Sequence, residues 1–177
     1  MQQELDIHSA LQRMQQLAGE SPLVTASAWH EGSLYVRLAG VKTAVEASTR
    51  SIGGETCESS IWSDLNNQKL SFFSNSSPLW RISVPPLTAE LDIDGTCLYD
   101  WAGMQRWLYS KEDAGKIRET AEQAGGHAQL FKAEATLKQQ LGAFHPQTDE
   151  IMALHKNIKN EFDPHKLFNP GRLYGGF

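Results

Sequence analysis

The order strand, strand, helix, strand occurs twice along this chain, and no other feature limits its fold more. Leu23 to His30 and Leu34 to Ala39 are rich in alternating or β-forming residues, and the short turn Glu31-Gly32-Ser33 between them predicts a hairpin. Val41, Ala44, Val45, Ser48 and Ile52 then follow helical spacing into Gly53-Gly54, a favourable helix stop. Leu79 to Val84 alternates again. It places Trp80, Ile82 and Val84 on one side and Leu79, Arg81 and Ser83 on the other, until Pro85-Pro86 ends the strand. The pattern then repeats. Strands from Thr96 to Trp101 and from Met104 to Tyr109 join through Ala102-Gly103, a helix runs through Ala114, Ile117, Ala121 and Ala124, and His127 to Phe131 follows the stop at Gly125-Gly126. Two ββαβ units, at about residues 23–84 and 96–131, predict an α+β, ferredoxin-like fold. The expected sheet is antiparallel with about six strands, the units paired edge to edge and the helices mainly on one face.

Residues outside the two units have their own signals. Ile7, Leu11, Met14 and Leu17 share one helical face, which makes 1–20 an entering helix that stops at Gly19 and Pro22. Residues 55–78 read as a surface insertion with a short helix from Ser59 to Asn66, and a polar linker leads from Lys132 to Pro146. A closing helix, capped by Thr148 or Asp149, carries Ile151, Leu154, Ile158 and Phe162 on a face expected to be buried. Pro164 stops it, Leu167 and Phe168 should seek cover, and Asn169-Pro170-Gly171-Arg172 fits a type II turn. At 177 residues the chain suits one domain, 1–177.

Several function classes can be set aside. A net charge of −5 argues against nucleic acid or an anionic membrane as the main partner. The sequence has no apolar run near the roughly 20 residues of a bilayer span, and its first residues lack the pattern of a signal peptide, so the expected location is cytoplasmic. Cys57 and Cys97 have no CxxC spacing and read as reduced thiols. Walker A, GxGxxG, GxSxG and HExxH patterns are absent and the histidines are scattered, so no metal is expected.

Arg81 and Arg106 are the first candidates for chemistry, because a planar guanidinium can grip a carboxylate at two points. The competing role is a strand arginine paired with Asp100 or another acid. Trp80, Trp101 and Trp107 flank the arginines and would either wall a site or fill the core. His127, at a strand start after a glycine pair, is placed to act as a general base or, equally, to satisfy a loop carbonyl.

The segment Phe162-Asp163-Pro164 to Asn169-Pro170-Gly171-Arg172 resembles the closing motif of FAD-linked oxidases of the vanillyl-alcohol oxidase and p-cresol methylhydroxylase type. Leu79 to Pro86, Asp100 to Leu108 and Gly125 to Phe131 narrow the resemblance to the FAD-binding E subunits of bacterial glycolate oxidases. It covers roughly residues 79–174, with His165-Lys166 replacing the usual small residue after Asp-Pro. The resemblance implies a C-terminal cap domain that completes the oxidation of glycolate or another 2-hydroxy acid over FAD held by a preceding domain. His127, Arg81 and Arg106 would then be catalytic, and Asn169, Arg172 and Trp80 would face the cofactor, with 162–177 a tail turned toward the flavin domain. A second flavin subunit and an iron–sulfur subunit are the implied partners, through which the complex could reach a membrane. The chain alone is expected to be inactive, with an uncovered face that would support a homodimer. A stand-alone α+β binding or regulatory module without catalysis is the alternative, since fold does not fix function.

Overall fold

Seven strands form one sheet in the order β1-β3-β2-β5-β6-β4-β7, and every pairing is antiparallel. They are β1 (Gln2–Glu4), β2 (Val24–His30), β3 (Ser33–Leu38), β4 (Leu79–Ser83), β5 (Thr96–Asp100), β6 (Gln105–Tyr109) and β7 (His127–Lys132). This computed structural model describes residues 1–174, so the end of the predicted 162–177 tail lies outside the described residues. The architecture is the expected α+β one, with an extra edge strand, β1, too short to show any alternation.

The two units interleave rather than meet only at their edges. β4, the last strand of the first unit, runs between β6 and β7 of the second and pairs with both. The cause is the crossover from β6 through α4 (Ala114–Gln123) to β7. A helical crossover returns its strand parallel to the one before it, and the gap it leaves accepts one antiparallel strand. The hairpin of the first unit meets the second where β2 runs beside β5, with Trp29 opposite Tyr99.

One face of the sheet is covered by α1 (Ile7–Glu20) and α4. Ala10, Leu11, Met14 and Leu17 pack on Leu34, Val36 and Tyr99, while Ile117 and Ala121 pack on Trp80, Ile82, Leu108 and Leu130. The opposite face is covered only in part. α3 (Ser60–Asn66) and the short 3-10 turn Ser71–Ser74 bring Leu65, Phe72 and Phe73 over Ala28, Leu98, Trp107 and Tyr109. α2 (Lys42–Ile52) buries only Ile52. This cover reaches Trp107 and Tyr109 but leaves Arg81 and Ser83 of β4 half-buried and His127 of β7 exposed, and that end of the face holds the candidate site.

The region after β7 departs from expectation. The polar linker contains α5 (Ala135–Leu141), and Arg118 of α4 donates to the carbonyls of Leu141, Gly142 and Phe144, holding that segment against the sheet edge. α6 (Asp149–Phe162) is capped as predicted, with Thr148 Oγ1 accepting from the Ile151 amide. Its apolar stripe is not buried, however. Ile151, Leu154 and Ile158 are exposed, Phe162 is 85% exposed, and Leu167 and Phe168 find no cover. Among the described residues no element buries that stripe.

Asp163 organises the tail. Its carboxylate accepts from the amides of Leu167 and Phe168 at 2.9 Å each and from Lys159 Nζ, which also donates to the Phe168 carbonyl. Beyond it, Arg172 N–H donates to the Asn169 carbonyl at 3.2 Å, and Gly171 has φ +67°, as a type II turn requires. Sequence reading placed the turn correctly and missed the aspartate that anchors it.

Candidate functional site

Strand register sets two rows of side chains on the partly bare face. His127 of β7, Ser83 of β4, Gln105 of β6 and Asp100 of β5 stand opposite one another in the first row. Gln129, Arg81, Trp107 and Leu98 make the second. Gly126 permits this arrangement. Its amide closes the end of α4 on the Ala121 carbonyl, and a Cβ there would lie 2.1 Å from the Ser83 carbonyl, so only glycine lets β7 approach β4 and set His127 beside Ser83.

Arg81 sits at the centre. Its Nε donates to Gln105 Oε1 at 2.7 Å, and its guanidinium carbon lies 5.7 Å from the Trp101 ring centroid and 5.9 Å from that of Trp107. Neither terminal nitrogen makes a hydrogen bond or ion pair with another described residue. An arginine held at Nε, flanked by two indoles and free at both terminal nitrogens presents a fork for an anion.

Asp100 lies behind this fork. It is buried, with Oδ1 accepting from the Trp101 amide at 2.8 Å and Oδ2 from Gln105 Nε2 at 3.4 Å. Burial pushes its carboxyl up from the ordinary aspartate value, opposed by those hydrogen bonds and by the Arg81 charge. The turn that follows is strained. Trp101 and Ala102 have φ of 52° and 56°, a conformation costly for residues with a Cβ, and the Trp101 side chain is 57% exposed. Trp101 also borders a cleft of about 660 Å³ that runs past Trp62, Arg37 and Thr25.

Arg106 and Trp80 lie elsewhere. Arg106 is paired with Ile82 and Tyr99 on the helix-covered face, opposite to Arg81, and is 1% exposed. Its donors go to the carbonyls of Gly103, Ala89 and Thr88, strapping the 84–95 loop to the sheet, while its guanidinium covers Tyr99. Burial lowers its pKa. Trp80 is 2% exposed and packs beneath α4, where Arg118 covers its ring at 5.5 Å. The sheet therefore separates these two from Arg81. His127 is exposed on the Arg81 face, its ring 6.5 Å from that of His145. Burial lowers the His145 pKa, and its Nδ1 accepts from the Ala128 amide at 3.3 Å. Asn169 and Arg172 are exposed on the terminal turn.

Gln105 was missed by sequence reading, because its place beside Arg81 depends on β4 entering between β6 and β7. Among the described residues no cluster of metal-ligating side chains exists, and no helix is long and apolar enough to cross a membrane.

The fold is that of an α+β domain, a seven-stranded antiparallel sheet with α1 and α4 on one side and the Arg81 face on the other. The chain is 32% identical over 174 residues to the glycolate oxidase subunit GlcE of Escherichia coli (strain K12). The match takes in 98% of the chain and 48% of that protein, so the resemblance to glycolate oxidase E subunits holds almost throughout, while the chain spans about half the length of this relative. No family model and no solved structure matches the chain.

Proposed function

We propose that this chain is the cap, or substrate, domain of a flavin-dependent 2-hydroxy acid oxidase subunit, closing over FAD held by another part of a longer protein. One observation carries the proposal: on the partly covered sheet face, half-buried Arg81 offers two terminal nitrogens with no partner among the described residues, on the same side as the exposed imidazole of His127. In general such diagonal cross-strand neighbours stand about 7–8 Å apart, a spacing that leaves room for a small acid between them. The similarity to a glycolate oxidase subunit supports the reaction class.

The residues here fit one part of FAD binding and not another. Arg81, His127, Asn169 and Arg172 are donors on exposed ground, suited to a substrate and the edge of a ring system. Among the described residues no glycine-rich loop joins a strand to a helix in the way that cradles a pyrophosphate. FAD, when bound, supplies the acceptor for the hydride that leaves Cα. Arg81 holds the substrate carboxylate with its terminal N–H groups and fixes the orientation of Cα. His127 takes the hydroxyl proton, so that glycolate, having lost one hydride and one proton, leaves as glyoxylate. Trp101 and Trp107 exclude water from the guanidinium and strengthen its hold.

The exposed stripe of α6, with Phe162, Leu167 and Phe168, is the surface turned toward the flavin-holding part, since uncovered apolar area of this kind marks a contact. A second flavin subunit and an iron–sulfur subunit complete the assembly, in the cytoplasm, and the isolated chain has no oxidase activity. The test is anaerobic flavin reduction by glycolate in the full-length subunit. Arg81→Ala is expected to weaken saturation by glycolate and His127→Gln to slow the reduction itself. Unchanged kinetics in both variants would overturn the proposal.

A further inference from the structure

We infer that Asp100 is the positioning residue of the Arg81 grip, aligning guanidinium and indole together through one buried carboxylate. This rests on the reading of Arg81 as the carboxylate anchor and assigns a role to two residues behind it. Asp100 Oδ1 holds the Trp101 amide at 2.8 Å, and Oδ2 holds Gln105 Nε2 at 3.4 Å. Gln105 Oε1 in turn accepts Arg81 Nε at 2.7 Å.

The relay has a fixed polarity. Arginine Nε is only ever a donor, so the side-chain oxygen of Gln105 must face it and the amide nitrogen must face Asp100. That nitrogen needs an acceptor, and the Trp101 amide needs a second acceptor from the same side chain. A carboxylate, with acceptors on both oxygens, satisfies the two together. Gln105 and Asp100 are both buried, so a mismatch in this chain is not relieved by water.

The consequence for binding is geometric. With Nε held, the guanidinium carbon stays 5.7 Å and 5.9 Å from the Trp101 and Trp107 ring centroids, and the terminal nitrogens are left without a partner among the described residues. Strain in the Trp101-Ala102 turn, at φ 52° and 56°, is retained by the same carboxylate that orients Arg81. Strained backbone persists where its surroundings over-determine it, and here the over-determined element is the indole over the fork.

The test is steady-state kinetics with glycolate on the full-length subunit in its assembled oxidase. Asparagine at 100 has nearly the same shape as aspartate but replaces one acceptor with a donor, so some donor in the relay must face another donor. Asp100→Asn is expected to raise KM about tenfold with kcat nearly kept, because the loss falls on ground-state grip rather than on the reacting bond. The double variant Asp100→Asn/Gln105→Glu restores the polarity. The asparagine amide then donates to the new carboxylate, which still accepts from Arg81, and KM should return to within about threefold of the parent. In an Arg81→Ala background, Asp100→Asn should leave KM where it is, since no guanidinium remains to align.

A role in packing alone would predict the same fold-change in KM from Asp100→Asn in the presence and absence of Arg81 and no rescue by the double variant. Either result overturns the inference. If Arg81→Ala itself leaves KM unchanged, the anchor reading fails and this inference with it. If Arg81→Ala raises KM while Asp100→Asn does not, only the positioning role fails. Should Asp100→Asn not fold, the double variant and Gln105→Leu carry the comparison. Gln105→Leu should raise KM while the double variant stays within about threefold of the parent, and a parent value for Gln105→Leu or a raised value for the double variant would refute the relay.

Discussion

The guanidinium of Arg118 lies 5.5 Å from the ring of Trp80 and donates to the backbone carbonyls of Leu141, Gly142 and Phe144. One side chain thus joins the core under α4 to the segment that passes the edge of β7. There Leu130 donates to the Ala143 carbonyl at 2.7 Å and Ala128 donates to His145. Arg118→Ala is expected to cost about 2 kcal/mol, the loss of charged hydrogen bonds from a half-buried position. Hydrogen exchange should show the loss first across residues 127–145, with the β2–β3 hairpin unaffected.

Arg81 and Arg106 should separate cleanly by stability. Removing the Arg106 side chain leaves the carbonyls of Thr88, Ala89 and Gly103 without their donor inside the protein, so Arg106→Ala is expected to cost about 3 kcal/mol or more. Arg81→Ala removes a half-buried side chain with one hydrogen bond, to Gln105, and opens that group to water, so it should move the thermal midpoint by only a few degrees. Thermal unfolding of the two variants side by side checks both values.

The tail has an acid-sensitive anchor. Lys159, and then the amides of Phe168 and Leu167, hold the Asp163 carboxyl down from 3.8 to about 2. A depressed folded value means that the anchor contributes fully above the unfolded pKa and is lost as pH falls from about 3.8 toward about 2. Amide exchange at Leu167 and Phe168, corrected for intrinsic rates, should lose protection in that window. Asp163→Asn should lose part of it already at neutral pH.

The two cysteines should differ in reactivity. Burial pushes the Cys97 thiol up to about 12, so almost none is thiolate at neutral pH. A thiol reagent at pH 7.5 is expected to modify Cys57 and leave Cys97 until the protein is denatured.

Much of this architecture was legible in the sequence because alternation and glycine stops are local signals. β2, β3, β4, β5, β6, β7, α4 and α6 all stand within a residue or two of their expected bounds. Pairing order was not legible, since periodicity in one strand says nothing about its neighbour. The passage of β4 between β6 and β7 therefore put Arg81 beside Gln105 and sent Arg106 to the other face, an outcome that spacing alone could not supply. The α6 stripe misled for a related reason. Ile151, Leu154, Ile158 and Phe162 show that a helix has an apolar face, and they do not say which part of a protein covers it. Gly126 and the Asn169–Arg172 turn were read correctly because each rests on a backbone constraint of one or two residues.

In the function proposed above, the Arg81 guanidinium holds a substrate carboxylate. Chemical rescue tests it most directly: anaerobic glycolate titration of the full-length subunit, followed by flavin bleaching, for the parent and for Arg81→Ala with and without added guanidinium. The account predicts that Arg81→Ala weakens apparent glycolate affinity by about 100-fold, consistent with loss of a two-point charged contact, and that millimolar guanidinium restores part of it. An Arg81→Ala protein that binds glycolate as tightly as the parent would contradict it.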